Sequence, residues 1–391
     1  MKKIMSIIIC LCLVFSVSAC TPMNANTTTG TSAPSEETSA ATTGADYTDP
    51  SVTYQAPMAA VAVPVTTQTT YAEDKTAIFS FTYQDISLTL EDADVADEII
   101  VDFLNRNDFN NSSAQSILDA AKTAYTGQTD WEPYFCSITY NPMRLDQSIL
   151  SFYGAEVVYN GTPRSVSANI SVSYDLLTGK ALALKDVLNA DYSAEDLVQL
   201  ILNALSSYRQ EGILFTDHEY IISDLFSTNT PVDSWYLSQA GLCFYFTPYE
   251  IAPYNAGTIV AEIPYEKLGG ILKDDYFPAE EANFSGEPVC KKLSEVDIAS
   301  FRQFTEVILD AQGEEIVLHT DGTLMDVRLE TGSWSSDGSE FIPTATVFAA
   351  CALTTGDALI IQAALDSIDD LRLSYTSNGA PVSIPLEIQA P

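Results

Sequence analysis

The chain has 391 residues, 53 of them acidic against 17 Lys and Arg, and a formal net charge of −36. Such a polyanion is repelled by nucleic acid and by anionic lipid or wall polymers, and it attracts cations: metal ions, basic peptides, basic proteins. The same surplus also keeps a secreted protein soluble, so charge alone names no partner.

Lys2 and Lys3 precede an apolar run, Ile4 to Val17, that is too short to span a bilayer comfortably. It ends in Val17-Ser18-Ala19-Cys20. Small residues before a cysteine resemble the lipobox of bacterial lipoprotein signal peptides. The resemblance implies cleavage before Cys20, lipidation of its thiol with palmitate-type acyl chains, and attachment to the outer face of the cell membrane. One acyl chain gives only reversible attachment, at about 0.8 kcal/mol per buried methylene, whereas two anchor stably. Loss of the two lysines leaves 15 basic residues against 53 acidic ones, or −38.

Residues 21–50 contain twelve Ser or Thr and almost no large apolar side chains. Such a segment buries too little surface to offset its ordering entropy, so disorder is expected from Cys20 to about residue 74. Within it, the Ala/Val/Pro-rich stretch 56–65 is compatible with extended backbone. A flexible tether of about 54 residues has a root-mean-square span of roughly 40 Å. Four cysteines remain beyond it: Cys136, Cys243, Cys290 and Cys351. None forms a Cys-x-x-Cys pair, so zinc or thioredoxin-like chemistry is not indicated. Buried thiols or an intradomain disulfide are the alternatives.

The length beyond the tether fits two domains, with the polar segment 277–288 as the boundary. From 75 to 276 the pattern predicts an α+β domain. Strand-like residues occupy 76–90, helical spacing runs over 97–107 and 112–126, and strands follow at 134–141, 147–159 and 165–175. Asn160-Gly161 signals a hairpin between the last two. Ser193-Ala-Glu-Asp196 resembles a capping box opening a helix to about residue 210. A short helix near 220–226 precedes strands at 235–246 and 257–263. From 288 to 391, Asp321-Gly322, Asp337-Gly338 and Asn378-Gly379 punctuate apolar strands, and the spacing predicts an all-β, sandwich-like domain.

The stretch Trp235 to Leu268 reads WYLSQAGLCFYFTPYEIAPYNAGTIVAEIPYEKL, and Val172 to Leu188 reads VSYDLLTGKALALKDVL. Both resemble an extracytoplasmic domain family of Gram-positive bacteria. That family forms the outer part of lysozyme-sensing anti-sigma factors, precedes the catalytic domain of some peptidoglycan deacetylases, and occurs in lipoproteins of unknown role. The resemblance covers about 75–275. It implies an extracytoplasmic domain; the sigma-binding segment, membrane helix and metal-dependent deacetylase domain of those relatives have no counterpart here.

Between the last two strands of that domain lie Pro248-Tyr249-Glu250 and Ala252-Pro253-Tyr254. Proline fixes φ and removes an amide donor, so this is a shaped connection. Either it is a rigid turn whose tyrosines pack on the core, or it is a recognition loop. In the second case Tyr249 and Tyr254 are stiff amphipathic contacts, Pro253 shapes the backbone, and Glu250 supplies the charge. Trp334 has two readings too: a stacking surface, or a cross-strand packing residue.

Only His218 and His319 are available as imidazoles, in different predicted domains, and no zinc-hydrolase spacing occurs. No nucleophile elbow, Ser-x-x-Lys or phosphate-binding loop is found. The sequence therefore predicts a non-catalytic, lipid-anchored surface protein without cofactor or metal and without nucleic-acid binding. Its expected ligand is a wall-derived glycan or an extracellular protein, a basic protein such as lysozyme among them. A structural or accessory role in an envelope complex is the alternative, and an unrecognised wall hydrolase a third.

Overall fold

The computed structural model describes residues 59–227, 232–278, 286–310, 312–335, 341–364, 371–377 and 380–386. Two strands, β1 (Ala60–Ala62) and β2 (Val65–Tyr71), precede β3 (Ala77–Gln84) and β4 (Ser87–Thr89). Helix α1 (Ala93–Arg106) begins four residues ahead of the predicted start, because the Asp92 carboxylate accepts from the backbone N–H of Asp94 and Val95. It buries Ala96, Ile99 and Phe103, and α2 (Ala114–Ala124) buries Ala114, Ile117, Leu118 and Ala121. Next come β5 (Tyr134–Leu145), β6 (Ile149–Tyr159) and β7 (Val166–Asp175). The order β2-β3-β5-β6-β7 makes a five-stranded sheet, antiparallel except where β3 meets β5. A parallel pair needs a long crossover, and α1 and α2 supply it.

A short helix α3 (Leu184–Val187) leads to α4 (Ala194–Ala204), capped by the Ser193 hydroxyl on the Asp196 N–H. The predicted single helix breaks at Leu205 and resumes as α5 (Ser206–Gln210); α6 (His218–Ser227) follows. The predicted strand 235–246 is two strands, β8 (Trp235–Leu237) and β9 (Gly241–Phe246). The Ser238 hydroxyl turns the chain between them by accepting from the N–H of Ala240 and Gly241. With β10 (Ile259–Pro264) they form a three-stranded antiparallel sheet. Every residue of β9 is buried. One face, Leu242, Phe244 and Phe246, packs with the helices, while Cys243 and Tyr245 pack against Met143 and Tyr153 of the larger sheet.

The remaining strands are β11 (Pro288–Lys292), β12 (Gln303–Ile308), β13 (Glu314–Thr320), β14 (Thr323–Trp334), β15 (Phe341–Thr354), β16 (Asp357–Ala363), β17 (Leu371–Ser377) and β18 (Ala380–Pro385). They divide between a four-stranded sheet, β11-β13-β16-β12, and a six-stranded one, β18-β17-β14-β15-β1-β4. Both sheets contribute to one core. Asp321-Gly322 does not join a hairpin: β13 lies in the first sheet and β14 in the second. The turn between β15 and β16 also switches sheets, and the buried Asp357 carboxylate fixes it by accepting from the Thr354 N–H and hydroxyl. Asp337-Gly338 and Asn378-Gly379 lie outside the described residues.

Disorder was expected up to residue 74, and β1 and β2 correct that expectation. β1 pairs with β15 on one side and β4 on the other. Its side chains alternate between two cores: Ala60 and Ala62 join the core between the two C-terminal sheets, and Val61, with Val63 just past the strand, joins the core under α1 and α2. Small apolar residues fit because the strand is enclosed on both faces. Tyr54–Pro391 is one compact unit. Across it, the half-buried Arg328 guanidinium donates to the carbonyls of Pro142 and Met143 at 2.7 Å each, and Asn141 Oδ1 accepts from the Thr346 N–H. All four described cysteines are free thiols, with Cys136, Cys243 and Cys290 buried. The result is sheet-rich, with helix in the minority and several antiparallel sheets.

Candidate ligand-binding loop

The loop 247–257, followed by Thr258, joins β9 to β10, and the register pair Phe246–Ile259 fixes the two ends of the connection. Its middle is pinned by Ile251 and Ala252, which are fully buried, and by the Phe215 N–H donating to the Ile251 carbonyl at 2.9 Å. Within this frame Tyr249 holds a φ of +73°, a left-handed conformation that is unusual for a bulky residue. Its own N–H donates to the Ala252 carbonyl at 3.0 Å. Pro253 starts a 3-10 turn over Tyr254–Ala256, and Gly257 ends it at a φ of +69°. No atom crowds the Gly257 α-carbon, so glycine is required there by backbone angle and not by close approach.

The structure places the four expected residues in this one loop, with different tasks. Tyr249 and Tyr254 project into solvent, 69% and 43% exposed, with ring centroids 5.6 Å apart and planes 34° apart. Glu250 is half-buried, and its Oε2 accepts from the Thr247 N–H at 2.8 Å and hydroxyl at 3.2 Å. That carboxylate therefore closes the turn that sets the tyrosines. Pro253 sets the direction of the second turn. Cys20 lies outside the described residues.

A residue missed by sequence reasoning completes the surface. Arg164, in the connection between β6 and β7, stands over the Tyr254 ring at 5.7 Å from its centroid. This connection is the expected Asn-Gly hairpin, where Gly161 has a φ of +83° and a Cβ would fall 2.2 Å from the Tyr134 hydroxyl. A guanidinium near an aromatic face is a weak attraction when exposed, about 0.5–1 kcal/mol. The loop and the neighbouring Arg164 thus present two aromatic faces with polar tips and one cation, on a backbone held by buried residues.

The remaining sequence candidates resolve into structural roles. The His218 ring lies against the Phe215 carbonyl, Nδ1 to O 2.6 Å, and His319 packs on Phe301. Trp334 makes an edge-to-face pair with Phe341 on the neighbouring strand. Among the described residues no group of three His, Cys, Asp or Glu side chains is arranged to hold a metal ion, and no helix is long and apolar enough to cross a membrane.

Residues 185–266 match a family model described as "Protein of unknown function (DUF3298)". The matched segment runs from α3 to just past β10 and contains the whole loop. Two solved structures of proteins given to that family are similar to this chain. One, from Bacteroides fragilis NCTC 9343, shares 18% identity over 55% of this chain and 94% of its own, with a TM-score of 0.38. The other, from Pseudomonas aeruginosa PAO1, shares 16% identity over 56% of this chain and 97% of its own, with a TM-score of 0.41. No curated protein matches the chain.

Proposed function

We propose that this is a non-catalytic protein anchored by a lipidated Cys20 to the outer face of the cell membrane, and that the 247–257 loop binds an extracellular protein of net positive charge, with lysozyme as the model ligand. The observation that carries the reading is the exposed pair Tyr249 and Tyr254 on a loop whose backbone is fixed by buried Ile251, by the Glu250 cap and by a left-handed Tyr249. A strained conformation kept at an exposed aromatic residue is a reason to look for a partner. Rigid tyrosines lose little entropy on contact and offer both an apolar face and a hydroxyl. The surplus of acidic residues in the mature chain has the sign that steers a basic protein toward it. Anchoring follows from the resemblance of Val17-Ser18-Ala19-Cys20 to a lipobox.

The two rings are tilted and not coplanar, so they form a projecting knob and not a flat platform for a sugar ring. That favours a protein cleft over a wall glycan as the complement. The test is direct binding of the chain to lysozyme and, separately, to purified wall fragments. Saturable binding to lysozyme that Tyr249→Ala weakens supports the proposal. Binding to fragments alone, weakened by the same substitution, replaces the protein ligand with a glycan, and binding to neither removes both.

A further inference from the structure

A second concave site lies away from the loop. A cavity of about 470 Å³ opens between the end of α1 and the helix-covered face of the five-stranded sheet. Asp102 and Arg106 line it from α1, Tyr140 and Ile138 from β5, Glu156 from β6 and Ile170 from β7. Ile170 faces this cavity, whereas its neighbour Asn169 bonds Tyr153 and Thr258 on the side of the candidate loop. Successive strand residues point to opposite faces, so the cavity and the loop are separate places.

We propose that this cavity binds a saccharide unit and prefers one carrying a cationic amine. Tyr140 is only 4% exposed, its ring packs against both Phe103 and Phe152, and its hydroxyl has no hydrogen-bond partner among the described residues. The ring is buried while the hydroxyl opens to the cavity, and such a group without a protein partner is set for a ligand or bound water. Burial pushes the phenol up to about 12, so it remains a donor at neutral pH. Two carboxylates stand ready as fixed acceptors. Asp102 Oδ2 takes the Tyr174 hydroxyl at 2.9 Å and the Arg106 Nε at 2.6 Å, and Glu156 Oε1 takes the Ser113 N–H at 2.8 Å. The other oxygen of each carboxylate has no partner among the described residues.

Donor at the floor, acceptors on two walls, a guanidinium at the rim and isoleucine between them suit a molecule with hydroxyls around an apolar ring. Two carboxylates against one guanidinium leave one negative charge, which favours an ammonium over a neutral sugar and disfavours a uronic acid. The volume lies within the usual range of small-molecule sites, roughly 300–1,000 Å³.

The experiment is calorimetric titration of the purified full chain with glucosamine, glucose and glucuronic acid. Glucosamine should saturate with a Kd on the order of 1 mM, tighter than glucose, with glucuronic acid weakest. Tyr140→Phe removes only the unpartnered hydroxyl. It should weaken glucosamine binding about fivefold while leaving the melting temperature unchanged. Glu156→Gln keeps an acceptor and should abolish the preference for glucosamine over glucose. Tyr249→Ala should leave all three titrations as they were, which separates this site from the loop. Absence of saturable heat for every sugar up to about 50 mM would overturn the proposal. So would unchanged binding in Tyr140→Phe, or a preference that survives Glu156→Gln.

Discussion

Val61 is the residue on which the union of the two halves can be measured. It is fully buried in a three-residue strand, opposite Ala349 of β15 and Leu88 of β4. Val61→Ala deletes two methyl groups from the core under α1 and α2. Their transfer contribution is about 1.6 kcal/mol, and a partly collapsed cavity raises the loss to about 2 kcal/mol. A valine in a disordered tether would change stability by less than about 0.5 kcal/mol. The assay is equilibrium urea unfolding followed by tryptophan fluorescence and by far-UV circular dichroism, comparing midpoints at constant slope. Because β1 also carries Ala60 and Ala62 into the C-terminal core, both signals should shift together. A change below about 0.5 kcal/mol, or a shift in only one signal, would refute the reasoning that β1 ties the cores together.

Burial pushes the thiols of Cys136, Cys243 and Cys290 from the ordinary 9.0 up to about 12, and the phenols of Tyr140, Tyr153 and Tyr265 from 10.0 to about 12. The folded state then holds more protons than the unfolded one between about pH 9 and 12, so stability is full below 9 and falls as pH rises through that window. Melting temperatures measured across the window should decline steadily, and a flat profile would contradict the burial. Gly161→Ala should cost about 1–3 kcal/mol, from the positive φ and the clash with Tyr134, as read by the denaturation midpoint; a neutral outcome would contradict the hairpin geometry. Cys20→Ala should release the protein to the medium or leave it as precursor in cell fractionation, and normal membrane retention would defeat the anchoring proposal.

Features that depend on local chemistry were legible in the sequence. The Asn160-Gly161 hairpin, the Ser193 cap and the Pro253 turn are each specified by a few adjacent residues, and the structure holds them where the spacing placed them. The failures share a different cause. β1 is Ala-Val-Ala, with no polar alternation to reveal a strand, because both its faces are buried in different cores. Asp321-Gly322 reads the same whether the flanking strands pair or cross to another sheet, and only tertiary packing decides. The run 235–246 concealed the Ser238 turn, since both β8 and β9 are wholly apolar or aromatic in burial. The tyrosines of the loop were visible as residues, but whether they faced core or solvent was not. Arg164 and the cavity around Tyr140 are assembled from separate elements, so no local pattern announces them.

Recognition of a basic extracellular protein through Tyr249 and Tyr254 can be measured by calorimetric titration of the full chain with lysozyme at low and at physiological salt. Steering by net charge alone fades as the screening length shrinks to about 8 Å. Recognition through the two tyrosines should give binding that persists at physiological salt and that weakens at least tenfold in the double variant Tyr249→Ala, Tyr254→Ala, at about 1.4 kcal/mol per tenfold. Binding that vanishes with salt, or that the double variant retains in full, would contradict it.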